Sequence, residues 1–393
     1  MRLLHVTAGN LFGGIERMLL TMASIAEGEC GHEIAVSFDG RRARELRDAA
    51  SPPHLLGEAR FRRPDSVWRA RRALRRLLAA GRYDAVIAHA PWSCALAGPV
   101  ARRADQPLFM WAHDAPQPDA WPERRIARVP PDLVICNSRH TADAIARWMP
   151  GVPRDVVHPP VAAAPAVGAR ERRELRAELG AGDGTTVILI ARRLEEWKGH
   201  RVLLEAADRL HGNVVVWIAG SPQRPAEVEY LAALTRLAAS GSSSGAVQFL
   251  GERSDVPRLM AAADVYCQPN TTPEPFGIAL VEALAAGVPV VTTAMGGPLE
   301  IVDERCGVLV REPSPHLLAA ALQRLIDTPA LRASLSAAAP AQARRVSDPV
   351  ARLAEVCDLV RARVAVRHSV RTRGLTPESR RTGSDPGRPA DGV

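Results

Sequence analysis

The chain has 393 residues, a formal net charge of +8, 47% hydrophobic residues and 24% charged ones. That much apolar sequence can bury large cores, which excludes a mainly disordered protein, and the modest charged fraction argues against a histone-like one. The length suits two or three domains.

Short apolar runs of strand type alternate with longer helical patterns. In the first half the predicted strands are Leu3–Thr7, Glu33–Phe38, Ala85–His89, Leu108–Ala112 and Leu133–Asn137. Helical periodicity covers Ile15–Ala26, Val67–Ala80 and Ala142–Met149. This alternation predicts α/β architecture, with a parallel sheet covered by helices. A proline- and alanine-rich stretch, Pro159–Gly168, interrupts it. The alternation then restarts with strands at Val187–Ala191, Val214–Ala219, Val247–Leu250, Val265–Gln268, Val288–Thr292 and Gly307–Val310, and helices at His200–Leu210 and Ala226–Ala239.

The expected organisation is a Rossmann-like domain over 1–158, a linker over 159–168 and a second Rossmann-like domain over 169–345. A C-terminal helix over 346–366 is expected to pack back toward the first domain, followed by a disordered basic tail over 367–393. A ligand is expected in the cleft between the domains.

The chain passes directly into the strand-like run Leu3–Thr7, without the pattern of a secretory leader. The longest apolar candidate, Ile278–Met295, is broken by Glu282, Gly287 and Pro289. A cytoplasmic protein is therefore expected, with peripheral contact at a membrane face as a possibility. The six cysteines are far apart and form no C-x-x-C pair, so buried reduced thiols are expected.

Of the 51 Lys and Arg residues one is lysine, Lys198. Residues 41–82 hold 13 arginines against four acids, a net of +9, and residues 361–393 hold eight against three, a net of +5. The body of the protein is thus mildly acidic. The helical run Ser66–Arg82 places Val67, Trp68, Leu74, Leu77 and Leu78 near one face and Arg69, Arg72, Arg75 and Arg76 around another. Two readings stay open, a solvated basic face and contact with an anionic membrane. Nucleic acid is disfavoured, because aromatic residues are only 4% of the chain and no base-reading motif is present.

The densest motif is Glu274–Asp303, EPFGIALVEALAAGVPVVTTAMGGPLEIVD. Glu274 and Glu282 form an E-x7-E pair. Glu274 is expected on a loop at the mouth of the site and Glu282 deeper, inside a helix that starts after Pro275-Phe276-Gly277 near Ile278. Two carboxylates so spaced suit different hydroxyls of one ligand, and the helix N-terminus suits a phosphate. Gly296, Gly297 and Glu300 complete a G-G-x-x-E element. In Ala191–Gly199, ARRLEEWKG, Arg193 and Lys198 are placed to converge on an anion such as a departing diphosphate. Gly13 and Gly14 follow the first strand and permit close approach of backbone to a ligand, yet the spacing is not G-x-G-x-x-G.

These segments resemble glycosyltransferase family 4, the retaining, nucleotide-sugar-dependent enzymes of the GT-B fold. The resemblance runs from Gly13 to about Val310 and is strongest between Val187 and Asp303. It implies a GT-B pair of Rossmann-like domains and transfer of a sugar from a nucleoside diphosphate to a hydroxyl acceptor. The implied acceptor is a lipid-linked glycan, a polysaccharide or a small molecule, and the expected setting is cell-envelope glycan or glycolipid synthesis.

By the resemblance, Glu274 contacts the donor sugar, Glu282 the ribose hydroxyls, and Arg193 and Lys198 the diphosphate. Gly13 and Gly14 lie against the phosphate and sugar, and His113 of Trp111-Ala112-His113-Asp114 sits near the sugar. Phe249–Asn270 resembles the base-binding loop with its following helix and strand. His158-Pro159-Pro160-Val161 replaces the family's N-G-V-D-like turn, and Arg192 replaces a glycine.

No metal or other cofactor is expected, since no D-x-D motif occurs and two cations supply the needed charge. No protein nucleophile is required if the leaving phosphate oxygen takes the acceptor's proton. The alternative function is a nucleotide-sugar-binding protein that has lost catalysis. A pyridoxal-phosphate phosphorylase is disfavoured, because the one lysine lies in the phosphate segment. Trp92, Trp111 and Trp121 are candidates for stacking on an acceptor or for core packing.

Overall fold

The computed structural model describes residues 1–9, 14–25, 30–39, 52–163, 166–241 and 246–374. Gly13, the first eleven residues of the basic segment at 41–82, residues 164–165 of the linker and the tail from 375 onward lie outside the described residues.

The first half runs β1 (Arg2–Thr7), α1 (Gly14–Ser24), β2 (Gly31–Val36), β3 (His54–Leu55), α2 (Pro64–Gly81), β4 (Ala85–His89), α3 (Ala90–Arg103), β5 (Leu108–Ala112), α4 (Trp121–Ile126), β6 (Leu133–Cys136), α5 (Arg139–Trp148) and β7 (Arg154–Val156). Its strands form a parallel sheet in the order β3-β2-β1-β4-β5-β6-β7. Every residue of β4 and β5 is buried, as strands covered by helices on both faces must be. This is why they read as uninterrupted apolar runs.

The second half runs α6 (Ala169–Glu178), β8 (Thr186–Ala191), a 3₁₀ turn (Glu196–Lys198), α7 (His200–Ala207), β9 (Val214–Ala219), α8 (Pro225–Ser240), β10 (Val247–Gly251), α9 (Val256–Ala262) and β11 (Val265–Gln268). It continues through α10 (Ile278–Ala285), β12 (Val290–Thr293), α11 (Pro298–Ile301), β13 (Gly307–Val310), α12 (Pro315–Asp327) and α13 (Pro329–Ser347). Its parallel sheet has the order β10-β9-β8-β11-β12-β13. Two doubly wound sheets facing across a cleft make this the predicted α/β, GT-B architecture.

The last helix, α14 (Pro349–Gly374), returns to the first domain. Leu353, Val356, Cys357 and Val360 are buried there with Leu3, Met18 and Leu19. The helix corrects the expected tail boundary at 367: with no glycine or proline between Pro349 and Gly374 nothing ends it sooner, and Arg367 is anchored to Asp132 and Asp105, both at 2.9 Å.

The reduced-thiol expectation also needs correction at one pair. Cys30 and Cys357, 327 residues apart, are joined as a disulfide between the start of β2 and α14, while Cys94, Cys136, Cys267 and Cys306 are free and buried. Trp111 is fully buried in β5, so it serves the core, whereas Trp92 lines the cleft and Trp121 is partly exposed against Phe61. Among the described residues no helix is long and apolar enough to cross a membrane.

Candidate functional site

The C-terminal ends of both sheets open on one cleft of about 930 Å³. On the second-domain side, β8 ends at Ala191 and delivers Arg192 and Arg193 to it. The chain then makes the short 3₁₀ turn that carries Lys198. Gly199 closes that turn at φ +80°, where a Cβ would collide with the Pro269 carbonyl. This close approach fixes Lys198 against the loop that follows β11, and only glycine permits it.

That loop holds Glu274. Its side chain is buried, in contrast to the expected position at the mouth, because it sits beneath a set of converging donors. Oε2 accepts from Lys198 Nζ at 2.8 Å, Gln268 Nε2 at 2.8 Å and Asn270 Nδ2 at 2.7 Å, and Arg192 Nη2 lies 3.3 Å away. Burial opposes the carboxylate's charge, but Arg192 and Lys198 outweigh it and hold Glu274 down at about 2. Lys198 is pushed down to about 7, first by burial and then by the like charge of Arg192. Two basic side chains therefore share one carboxylate, and Lys198, brought to about 7, is only partly protonated near neutrality. Arg192 Nε is a buried donor with no partner among the described residues.

Arg193 lines the same cleft but pairs with Glu195 at 3.0 Å. The residue that joins Lys198 at Glu274 is thus Arg192, which the sequence marked only as a departure from a glycine. Two adjacent arginines carry no sequence signal of which one will be buried.

Pro275, Phe276, Gly277 and Ile278 also line the cleft as the chain enters α10. Gly296 has φ +76°, and a Cβ on it would strike the Glu274 carbonyl, which gives the G-G element a role in seating the Glu274 loop. Glu282, one turn into α10, receives Arg17 Nε of α1 at 2.6 Å across the cleft. Gly14 faces Ile278 at the same crossing, where a Cβ would come 3.0 Å from the Ile278 side chain.

Glu300 of the G-G-x-x-E element binds the other domain. It accepts from the backbone N–H of Arg139 at 2.8 Å and pairs with His158 at 3.1 Å. His158 also reaches the Val346 carbonyl at 3.2 Å, and its ring packs tilted against Phe276, 5.1 Å between centroids. The His158-Pro159-Pro160 turn is therefore a joint between domains.

On the first-domain side, His113 follows β5 and Asn137 follows β6. Asn137 donates to the His113 carbonyl at 3.0 Å, and both line the cleft. His113 Nε2 meets His89 Nδ1 at 2.9 Å, and burial pushes His113 down to about 3. Arg17, Arg192, Asn137 and His89 were not among the residues singled out for roles. Among the described residues no group of three or more His, Cys, Asp or Glu side chains is placed to hold a metal ion.

Residues 171–342 match the model of the family described as glycosyl transferases group 1, and residues 12–164 match that of glycosyltransferase family 4. The chain is similar to a D-inositol 3-phosphate glycosyltransferase of Nocardioides, with 31% identity over 300 residues, 68% of this chain and 65% of that one. It is 32% identical over 295 residues to the D-inositol 3-phosphate glycosyltransferase of Xylanimonas cellulosilytica, covering 67% of this chain and 69% of that one. The chain thus spans about two thirds of the length of the curated relatives it matches, slightly less in the first case. In fold it resembles HepE of Anabaena, solved in complex with UDP and glucose, with a TM-score of 0.81 and 24% identity over 92% of this chain and all of that one.

Proposed function

The chain belongs to the group 1 glycosyltransferases of family 4, and from that premise we propose that it transfers a sugar from a nucleoside diphosphate to a hydroxyl acceptor, with retention at the anomeric carbon. The observation that carries this reading is the buried triad of Glu274, Lys198 and Arg192. Two basic side chains on one carboxylate, with a buried guanidinium N–H left without a partner among the described residues, suit an incoming anion, which would also favour the charged form of Lys198. A diphosphate supplies that anion, and more of its charge develops as the bond to the sugar breaks.

In this reading Arg192, Arg193, Lys198 and the N–H groups opening α10 stabilise the departing diphosphate. Glu274, kept ionised, orients the cations and faces the donor sugar. Glu282 takes the ribose hydroxyls, steadied by Arg17. Pro275, Phe276, Gly277 and Ile278 shape the donor pocket, with Gly14 opposite. The acceptor oxygen attacks from the face of the departing phosphate, which takes its proton. His113 stands on the acceptor wall with Asn137 and Trp92. With these cations in place, no metal or other cofactor is assigned to the step. HepE, solved with UDP and glucose, supports a uridine donor as the first to test.

The reading places the protein at the cytoplasmic face of a membrane, in envelope glycan or glycolipid synthesis and without nucleic-acid partners. A surface observation favours the membrane. Trp68 is 58% exposed on α2 with Arg72 over its ring at 5.3 Å. Arg71, Arg72, Arg75, Arg103 and Arg125 line an adjoining pocket, and none has a carboxylate partner among the described ion pairs.

The test is thermal shift against UDP-, GDP-, dTDP- and ADP-sugars, followed by transfer assays with the stabilising donor. A concentration-dependent shift with one base supports the reading. No shift with any of them refutes it.

A further inference from the structure

Four histidines of the first domain form one unbroken line. In sheet order β2-β1-β4-β5 they are His32, His5, His89 and, just past β5, His113. Strand alternation puts all four on the sheet face covered by α1 and α14. Their stagger carries the line diagonally from the cleft to the opposite edge.

The contacts repeat head to tail. His113 Nε2 meets His89 Nδ1 at 2.9 Å, His89 Nε2 meets His5 Nδ1 at 2.9 Å, and His5 Nε2 meets His32 Nδ1 at 3.0 Å. His32 Nε2 then lies 3.9 Å from Cys357 Sγ. His5 and His89 are 0% and 1% exposed, so no water competes at the middle links. Among the described residues no carboxylate bonds any of the four: Glu33, next to His32 in sequence, is taken by Tyr83, Arg2 and His54. Trp111 stacks on His89 and His113. Burial lowers all four, His32 to about 4 and His113 to about 3, so each carries a single ring proton near neutrality.

A neutral imidazole has one N–H and one lone pair. In a head-to-tail line this forces a common choice, because one reversed ring would set two N–H groups, or two lone pairs, face to face in a buried site. Either every proton sits on Nε2 and points toward the sulfur, or every proton sits on Nδ1 and points toward the cleft. The sulfur end breaks the tie. In the disulfide-bonded chain Cys357 has no S–H to donate, so it can only accept.

We propose that His89, His5 and His32 are positioning residues that lock His113 in its Nε2–H tautomer, so that its Nδ1 lone pair faces the cleft as an acceptor for a substrate hydroxyl. His113 Nδ1 has no protein partner among the described residues and is not among their buried unpartnered atoms, which leaves it available to a ligand. The role at His113 rests on the transferase reading above, but the tautomer itself does not.

The test is therefore spectroscopic first. The full chain, labelled with ¹⁵N-histidine, is examined without substrate by two-bond ¹H–¹⁵N correlation, which separates proton-bearing from lone-pair ring nitrogens. The four relay histidines, assigned by single His→Gln variants, are expected to share the Nε2–H pattern. Mixed or Nδ1–H patterns in the disulfide-bonded wild type overturn the proposal, whether or not any donor is turned over.

His5→Phe interrupts the line, whereas His5→Gln can still accept on one side and donate on the other. His5→Phe should leave His113 in mixed tautomers and reduce kcat about 10- to 100-fold, the usual scale for losing the partner that orients a functional imidazole, with the donor KM unchanged. His5→Gln should restore both the His113 signature and most of kcat. Equal losses in the two variants with an unaltered His113 pattern would overturn the relay. If His5→Phe does not fold, the wild-type spectrum decides.

Discussion

Lys198→Met isolates the charge that the proposed chemistry depends on while keeping most of the side chain's volume. Lys198 is 4% exposed, its Nζ 2.8 Å from Glu274 and 3.4 Å from the centroid of the Trp197 ring. Burial and Arg192 bring its pKa from 10.5 to about 7. That displacement sets a cost of roughly 5 kcal/mol on the charged form relative to the unfolded chain. The sign follows from linkage: the native state binds fewer protons than the unfolded state between pH 7 and 10.5, so near neutrality the ammonium opposes folding.

Methionine removes that opposition, and Glu274 keeps Arg192, Gln268 and Asn270 as partners. Stability should stay level or rise by about 1–4 kcal/mol, as when other buried ionic groups are replaced by apolar ones. Turnover should fall by about 10²- to 10³-fold, the cost of losing one electrostatic contact to developing charge. Chemical denaturation and steady-state transfer kinetics on the same preparation read both effects. A clear loss of stability with turnover intact would refute the reasoning, because Lys198 would then be a structural residue.

Other consequences follow from the same geometry. A diphosphate beside Lys198 raises its pKa, so donor binding takes up a proton above about pH 7 and apparent affinity falls as pH rises further; calorimetry in buffers of different ionisation enthalpy checks this, and zero uptake near pH 8 would contradict it. Glu282→Ala, or Arg17→Ala opposite it, should raise the donor KM by about 10-fold with kcat little changed, as loss of a charged hydrogen bond in ground and transition state alike predicts. Glu300→Ala strands His158 and the N-terminus of α5. It should destabilise the chain by about 1–3 kcal/mol in denaturation while donor affinity holds.

What could be read in advance follows physical lines. Strands buried on both faces, such as Ala85–His89 and Leu108–Ala112, announce themselves as continuous apolar runs and were placed to the residue. The edge strands His54–Leu55 and Arg154–Val156 are too short and too polar to do so. Helix α3 went unread because Pro91 and Pro99 interrupt its pattern, although its buried small residues pack tightly against the sheet.

At the site, Glu274, Glu282, Lys198 and the glycines carried spacing information, since turns and close approaches constrain their sequence. Arg192 carried none, because burial of one of two adjacent arginines is decided by tertiary packing. The histidine line was equally hidden. Residues 5, 32, 89 and 113 become neighbours only through the sheet order, and Cys30 and Cys357 meet only when α14 crosses back.

The central claim is that a sugar leaves a nucleoside diphosphate and joins a hydroxyl on the same face. The most direct measurement follows the reaction by ¹H and ³¹P NMR with the donor that stabilises the chain. Retaining transfer releases the nucleoside diphosphate in step with a new glycoside whose anomeric configuration matches the donor's. An inverted glycoside, or no transfer by a chain that binds the donor, would contradict it.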